Sequence, residues 1–360
     1  MKKLLVTICI ILCCLPLLSA SDDAFLSFQM FNSKSLYYQS PSDLFNAAST
    51  LEIMMIQEGQ PRTVRAYPED SSGQYEDLPI FTDGKYEDEN LYARLKTGVD
   101  VSVFRLGLFR KKAQMELAFS GSLNSIFQGF GGADNLGFDG IFFFGPQLQL
   151  FDLFTVKFGL QHYSGHYGDE TIDNYVSVNG GEKRELLSYT RDNNLFLGVS
   201  VEPVKNLHVK FEATRPRLNT WMGPSVHIPS WVLKPSNGQP LNPIAADNEN
   251  VPASVYPDSY KAWTLQSGIS YEIALTRQIG LVLSGDLKLH QDGQTMHQIG
   301  MYDEDNPWER EYTFTAGLDL FDIDSLHRAL ILVTYHDGRL PLLNYFYQRT
   351  KYVSVSVQIG

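Results

Sequence analysis

Cysteine is almost missing from this 360-residue chain, and the three residues present, Cys9, Cys13 and Cys14, all fall near the start. They sit in a segment that opens Met1-Lys2-Lys3, runs apolar from Leu4 to Leu18 and closes on Ser19-Ala20 ahead of Ser21-Asp22-Asp23. That order predicts a secretory signal over 1–20, cleaved after Ala20. The mature chain then holds no thiol, which excludes a disulfide framework and thiolate metal sites. Leu12 and Cys13 stand where a lipid-modified cysteine would need a small residue before it. Long apolar runs are also absent. Nothing approaches the roughly 20 residues that a membrane helix requires, so a helical membrane protein is excluded. Positive charge is scarce, with 29 Lys and Arg against 41 Asp and Glu, a net charge of -12 that becomes -14 once Lys2 and Lys3 leave with the signal. No basic patch forms, so nucleic acid is not an expected partner.

What the chain does contain is aromatic residues, 19 Tyr and 22 Phe, within segments that alternate apolar and polar side chains. Val353, Val355, Val357 and Ile359 fall on one face of the last segment, opposite Ser354, Ser356 and Gln358. Leu95, Val99, Val101 and Val103 oppose Arg94, Lys96, Asp100 and Ser102 in the same way. Period-two alternation means strands with one dry face. The pattern predicts strands at 48–58, 91–105, 112–124, 138–150, 153–164, 188–202, 207–216, 260–274, 278–291, 309–321, 328–337 and 350–359. The fourth fits least well, since Ile141 to Phe144 is apolar on both faces.

Short connections such as Phe151-Asp152, 203–206 and 323–327 alternate with long polar ones such as 59–90, 165–187 and 218–259. Short turns at one end and long loops at the other are expected of an outer-membrane barrel. The face opposite the apolar one carries Arg94, Lys96, Glu116, Lys157, Lys210, Glu212, Glu272, Asp286 and Lys288, mixed in sign. Such charges suit a wet lumen, whereas a Lys or Arg facing lipid costs about 2–4 kcal/mol at the bilayer midplane. A soluble β-sandwich also alternates, and it is the competing architecture. The expected fold is all-β, an antiparallel up-and-down transmembrane β-barrel of about twelve strands over 48–360. A periplasmic N-terminal segment, 21–47, precedes it, and both termini lie in the periplasm. Residence in the cell outer membrane implies contact with outer-membrane lipid and a lipopolysaccharide-type surface, and insertion by the general assembly machinery. The chain ends Gln358-Ile359-Gly360, without the common terminal aromatic.

From Gly159 the chain reads GLQHYSGHYGDE. This resembles the motif His-x-Ser-Ser-His-Leu-Gly-Asp-Glu of an uncharacterised bacterial outer-membrane family, domain of unknown function 1207. Pro41-Ser42-Asp43-Leu44-Phe45 is similar to that family's N-terminal Pro-x-x-Leu-Phe element, and Tyr335-His336-Asp337-Gly338-Arg339 with Phe346-Tyr347 to its last hairpin. Gly165 replaces the second Ser, Tyr167 the Leu, and Asn344-Tyr345 a Gly-Gln pair. The resemblance implies a barrel and no particular activity.

Reactive side chains concentrate in that motif. Phe154, Val156, Phe158 and Leu160 set an outward face that carries on to His162 and Ser164. An imidazole two residues from a hydroxyl on one strand face can activate it. The outward period of the next strand, Leu195 to Val201, carries back to Asn193, which a hairpin would bring near His162 as an orienting group. The trio is similar to the lipid-facing His-x-Ser pair and Asn of outer-membrane phospholipase A, although Gly165-His166 follows here in place of its Ser-Asn-Gly-Arg run. The same residues also suit an interfacial rim, with Gly168-Asp169 a turn. His166, Asp169 and Glu170 could hold Ca²⁺ through carboxylate oxygens, but the spacing of a calcium loop is absent and imidazole is a poor calcium ligand. The loop with Trp221, Trp231 and several prolines could pack over the rim, plug the mouth or dock a partner. The leading expectation is a structural or narrow-pore barrel. The runner-up is a lipid or acyl-ester hydrolase with Ser164 as nucleophile, His162 as base and Asn193 as orienter.

Overall fold

A computed structural model describes residues 25–68, 75–81, 89–129, 134–216, 225–227, 263–291, 308–321 and 328–359. Twelve antiparallel strands close on themselves. They are β2 (Ser49–Glu58), β5 (Leu91–Leu108), β6 (Ala113–Gln128), β7 (Asp134–Leu150), β8 (Phe154–Tyr167), β9 (Ser188–Val204), β10 (Leu207–Pro216), β12 (Thr264–Ala274), β13 (Ile279–His290), β14 (Glu309–Phe321), β15 (Arg328–Arg339) and β16 (Arg349–Ile359). Closure runs through β16 to β2 and from β2 to β5. Following register partners once round the wall from Leu108, through Phe154, Ile269 and Val353, returns to β5 at Leu91. That stagger tilts the strands and sets the size of the barrel. A sandwich has edges, and this sheet closes on itself, with only residues 97–101 of β5 lacking a strand on their β2 side among the described residues. The turn 323–327 and the Trp221 and Trp231 loop lie outside the described residues.

The expected alternation is the observed one. Leu51, Leu95, Phe144, Phe158, Phe211, Ile269, Phe314, Val333 and Val355 are 40–61% exposed along the outer wall, while Arg94, Lys96, Glu116, Lys157 and Lys210 are buried inside. The lumen charges pair off: Arg94 with Glu52 at 3.2 Å, Arg105 with Glu116 at 2.8 Å and Lys288 with Glu311 at 3.8 Å. The anomalous apolar stretch of β7 has its own reason. Ile141 and Phe143 face inward, and the ring of Phe143, 3.9 Å from Lys157 Nζ, joins Phe196 and Tyr37 in walling that ammonium with aromatic faces.

The N-terminal segment departs from expectation. Residues 21–47 read as a separate periplasmic element, but the described part, from Phe25, belongs to the barrel. Strand β1 (Leu26–Asn32) pairs with the lower half of β5, Leu26 opposite Leu108 and Asn32 opposite Ser102. The chain then leaves the wall and crosses the lumen before rejoining it as β2. Backbone and side-chain bonds pin this leg. Ser35 N and Oγ donate to Asp100 Oδ2 at 3.2 and 2.9 Å, Leu36 N to Glu116 Oε1 at 2.6 Å and Tyr37 N to Gln147 Oε1 at 2.7 Å. Lys96 Nζ reaches Asn46 Oδ1 at 2.6 Å, Arg94 donates to the Leu44 carbonyl, and Lys210 Nζ lies 2.6 Å from Asp43. The physical reason is satisfaction. The lumen's buried charges require partners that water cannot supply there, and the leg provides carbonyls and a carboxylate.

The other end is roofed. Strands β3 (Thr63–Ala66) and β4 (Glu76–Pro79), helix α1 (Asp169–Asn179) and the 340–348 connection enclose Met54, Ile56, Ile80, Ile126, Leu136, Leu342, Tyr345 and Tyr352 in an apolar core. Arg65 clamps the roof through Asp77, at 2.9 and 3.1 Å, with its guanidinium over the rings of Tyr75 and Tyr347. Burial pushes the Tyr347 hydroxyl up to about 12 and also raises Tyr175, which donates to Glu185 at 2.8 Å, so both phenols stay protonated near neutral pH.

Lys210 holds Asp43, Glu212 and Asp286 together, at 2.6, 3.2 and 3.7 Å. Lys210→Met leaves three carboxylates facing one another. It is expected to lower unfolding stability in micelles by about 3–5 kcal/mol, the usual scale for orphaning a buried charge. A urea titration checks this; an unchanged midpoint would mean that the leg is held by other contacts.

Candidate functional site

Strand β8 runs from the short-turn end at Phe154 to the roofed end at Tyr167. Its outward period places Phe158, Leu160, His162, Ser164 and His166 on the lipid-type face, as the sequence predicts. Beside it β9 pairs antiparallel, with His162 directly opposite Asn193. His162 Nδ1 and Asn193 Oδ1 lie 2.8 Å apart. An amide oxygen can only accept, so Nδ1 is the donor in this contact, and in the neutral tautomer that this selects Nε2 is the nitrogen with the lone pair. The hydrogen bond also fixes the ring plane, which lies 21° from that of Phe142 with 6.4 Å between centroids. A base held in one tautomer by a neighbouring amide is the arrangement expected from register alone.

Ser164 is the third member, and it is placed but not joined. Two residues along one strand face put it about 7 Å from His162, Cα to Cα. Among the described residues no hydrogen bond links the two side chains. Across the ladder Ser164 faces Gly140, where a Cβ would lie 3.0 Å from both Ser164 Oγ and the Phe142 ring, so the space over the glycine is shared by those two side chains. Both His162 and Ser164 are half-buried, inside an otherwise apolar surface of Phe138, Phe142 and Leu195.

The rest of the motif does different work. His166 is exposed and stacks on Phe138 at 4.8 Å. Tyr167 turns inward and donates to the Leu187 carbonyl at 2.7 Å and the Asn344 carbonyl at 3.2 Å, tying the wall to the roof. Gly168 passes so close to β7 that a Cβ there would lie 2.0 Å from the Asn135 carbonyl oxygen, a contact only glycine tolerates. Asp169 and Glu170 open α1, where the helix dipole favours negative charge. Gly180, left-handed at φ 66°, ends it. The sequence predicts a loop over 165–187 with Gly168-Asp169 a turn, and the structure has a helix there instead. The helix escaped notice because its mean pattern is only weakly amphipathic, although the acidic start and the glycine stop are both legible. Among the described residues no three His, Asp or Glu side chains converge as a metal cage, and Asp169 and Glu170 stand exposed on the helix start.

The lumen also holds His336, which the sequence marks only through the last-hairpin resemblance. His336 sits buried with Nδ1 3.0 Å from Thr313 Oγ1 and Nε2 2.9 Å from the Arg339 carbonyl. Both ring nitrogens are occupied, which suits packing. Its outward-pointing neighbours gave no signal of this, since inward polar residues look alike in sequence.

No protein-family model matches the chain, and no curated protein matches it in sequence. Among solved structures, it is similar to outer membrane phospholipase A from Escherichia coli, at 12% identity over 88% of this chain and 93% of that one, with a TM-score of 0.46. The Salmonella typhi outer membrane phospholipase dimer with bound calcium gives 12% identity, 88% and 92% coverage and a TM-score of 0.45. An outer membrane channel from Pseudomonas putida F1 gives 10% identity, 89% and 98% coverage and a TM-score of 0.36. At these identities and scores the likenesses say nothing of activity.

Proposed function

We propose that this chain is an outer-membrane barrel, closed to solute passage, whose activity lies on its lipid-facing wall as an acyl-ester hydrolase. The membrane reading rests on the exposed apolar wall, with Phe25, Phe31, Phe109 and Phe151 each more than half exposed at the short-turn end, where an interfacial aromatic girdle belongs. The short-turn end faces the periplasm in this reading. Both described chain ends lie there, β1 starting opposite Leu108 and β16 finishing opposite Ala329. The family resemblance of the motif agrees with this placement. Lipid and a lipopolysaccharide-type surface are the surrounding partners, and the general assembly machinery inserts the chain.

The pore alternative is weakened by the leg and the roof, which fill the lumen from the middle to the far mouth. The hydrolase reading is carried by the 2.8 Å contact between His162 and Asn193 on an outward face. A polar pair facing hydrocarbon is less favourable there than apolar side chains even when its members bond to each other, so its place on this wall needs a reason beyond stability. In the reaction, His162 Nε2 takes the proton of Ser164 Oγ as the oxygen attacks the ester carbonyl. Collapse of the tetrahedral adduct expels the alcohol, which receives that proton from His162. Water, deprotonated by the same nitrogen, then attacks the acyl-serine and releases the carboxylic acid. Asn193 acts through His162 as a positioning residue. The Ser164 hydroxyl must rotate toward Nε2 when ester binds, a tightening common between apo and substrate-bound sites.

Purified protein in mixed micelles is expected to release fatty acid from phospholipid. Ser164→Ala should reduce this to the blank rate while leaving the heat-modifiable migration of the folded barrel unchanged. Asn193→Ala should lower kcat by 10-fold or more and alter the acidic limb of the pH profile, with Asn193→Asp restoring part of the rate. Full activity in Ser164→Ala would assign these residues to the structural rim.

In a planar bilayer the native protein is expected to give no conductance steps. Regular steps from the native chain would return the pore reading to first place.

A further inference from the structure

Among the described residues the strand pairing of the wall lapses beside β5, and a cavity lies against that interval. On β5 the pairing with β2 ends at Lys96, opposite Thr50, and the pairing with β1 begins at Ser102, opposite Asn32. Residues 97–101 therefore have a strand on the β6 side and none on the other. This is where the leg leaves and rejoins the wall. At the upper edge the chain crosses β5 so closely that a Cβ on Gly98 would lie 1.9 Å from the Ala47 carbonyl oxygen, and Ser49 Oγ accepts from Gly98 N at 3.1 Å. Below that crossing, 99–101 stand open over about 10 Å of strand.

A cavity of about 650 Å³ lies against this interval. Its lining mixes both faces of the sheet. Asp100, Tyr38 and His208 belong to the lumen, whereas Val99, Val101 and Ile359 belong to the apolar outer wall. The cavity lies beside the interval of β5 that has no strand on its β2 side, with Gly98, Val99, Asp100 and Val101 in its lining. The inner side is polar, with the Tyr38 ring stacked on His208 at 3.9 Å. Asp100 uses Oδ2 to hold Ser35, and its other oxygen, buried, has no hydrogen-bond partner among the described residues. The outer side offers only aliphatic side chains, with Val99 46% and Ile359 55% exposed.

We propose that this seam is a lateral binding site for a single-chain acylglycerol lipid, its acyl chain along Val99, Val101 and Ile359 and its glycerol head in the lumen. A carboxylate oxygen lacking a donor calls for a hydroxyl, which a glycerol with one ester supplies and a fully esterified one does not. The three-residue opening admits one chain, not two. Monoacylglycerol and lysophospholipid share this chemistry, and the site is independent of the hydrolase reading.

The test places the full-length barrel in lipid nanodiscs with diazirine-bearing monoacylglycerol or lysophosphatidylethanolamine, followed by mass-spectrometric mapping after illumination. Saturable labelling is expected at Val99–Val101 and at Ala47 or Ala48. The arm with the lower half-saturating concentration identifies the source of the head. Ala48→Trp, which fills the opening, should reduce seam labelling at least 5-fold, as should Val101→Trp if the first variant does not fold. Leu283→Trp, on the outer face of β13 across the barrel, should leave it unchanged. Labelling spread evenly around the wall, persistence in the filled variants, or equal competition by a diacyl lipid would overturn the proposal. Because the readout is capture and not turnover, a hydrolytically silent protein would leave it decidable.

Discussion

A strand surrounded by hydrocarbon has no water to satisfy its backbone, so each strand must find a neighbour on both sides, and a closed ring is the one sheet that provides this. Closure in turn divides every strand into an outer and an inner face. The outer face of this chain is aliphatic and aromatic. The inner face gathers charge of both signs into a volume too small for bulk water, and those charges must then find partners within the protein. Most features of the structure descend from that second demand.

The leg meets it from within the chain. Asp43 answers Lys210, the Leu44 carbonyl answers Arg94, and Asn46 answers Lys96. Residues that would look like an ordinary solvated segment become internal counter-groups. The same leg costs the wall its continuity, because chain that crosses the lumen cannot also pair with β5 between Thr97 and Val101. Filling the lumen and opening the seam are two consequences of one excursion.

The strands were legible because period two is a local property. Val353 to Ile359 or Leu95 to Val101 needs only its own residues to declare a dry face, and all twelve strands fall where that pattern lies. The His162 and Asn193 pairing was also legible, since hairpin register follows from continuing two outward periods toward their loop. Ser164 shows the limit. Its face could be read, whereas its side-chain rotation relative to His162 depends on the crowded space over Gly140, which it shares with the Phe142 ring and which no spacing encodes. The leg was hidden for another reason. The partners named above lie 50 to 167 residues away in sequence, as with Asn46 to Lys96 and Asp43 to Lys210, and its serines and carboxylate suit solvent equally well. The roof helix was missed because tertiary contacts around Tyr175 and Thr171, both buried, stabilise a sequence of weak intrinsic pattern.

The division of faces is the claim on which the membrane reading, the site and the seam all rest, and β16 allows it to be measured residue by residue. With no cysteine after Cys14, single cysteines can be placed at 353 to 357 and spin-labelled in lipid vesicles. The account predicts strong relaxation by dissolved oxygen at positions 353, 355 and 357, and weak relaxation by either oxygen or a water-soluble nickel complex at 354 and 356. Equal access of the nickel complex to both sets, or no alternation along the strand, would contradict it.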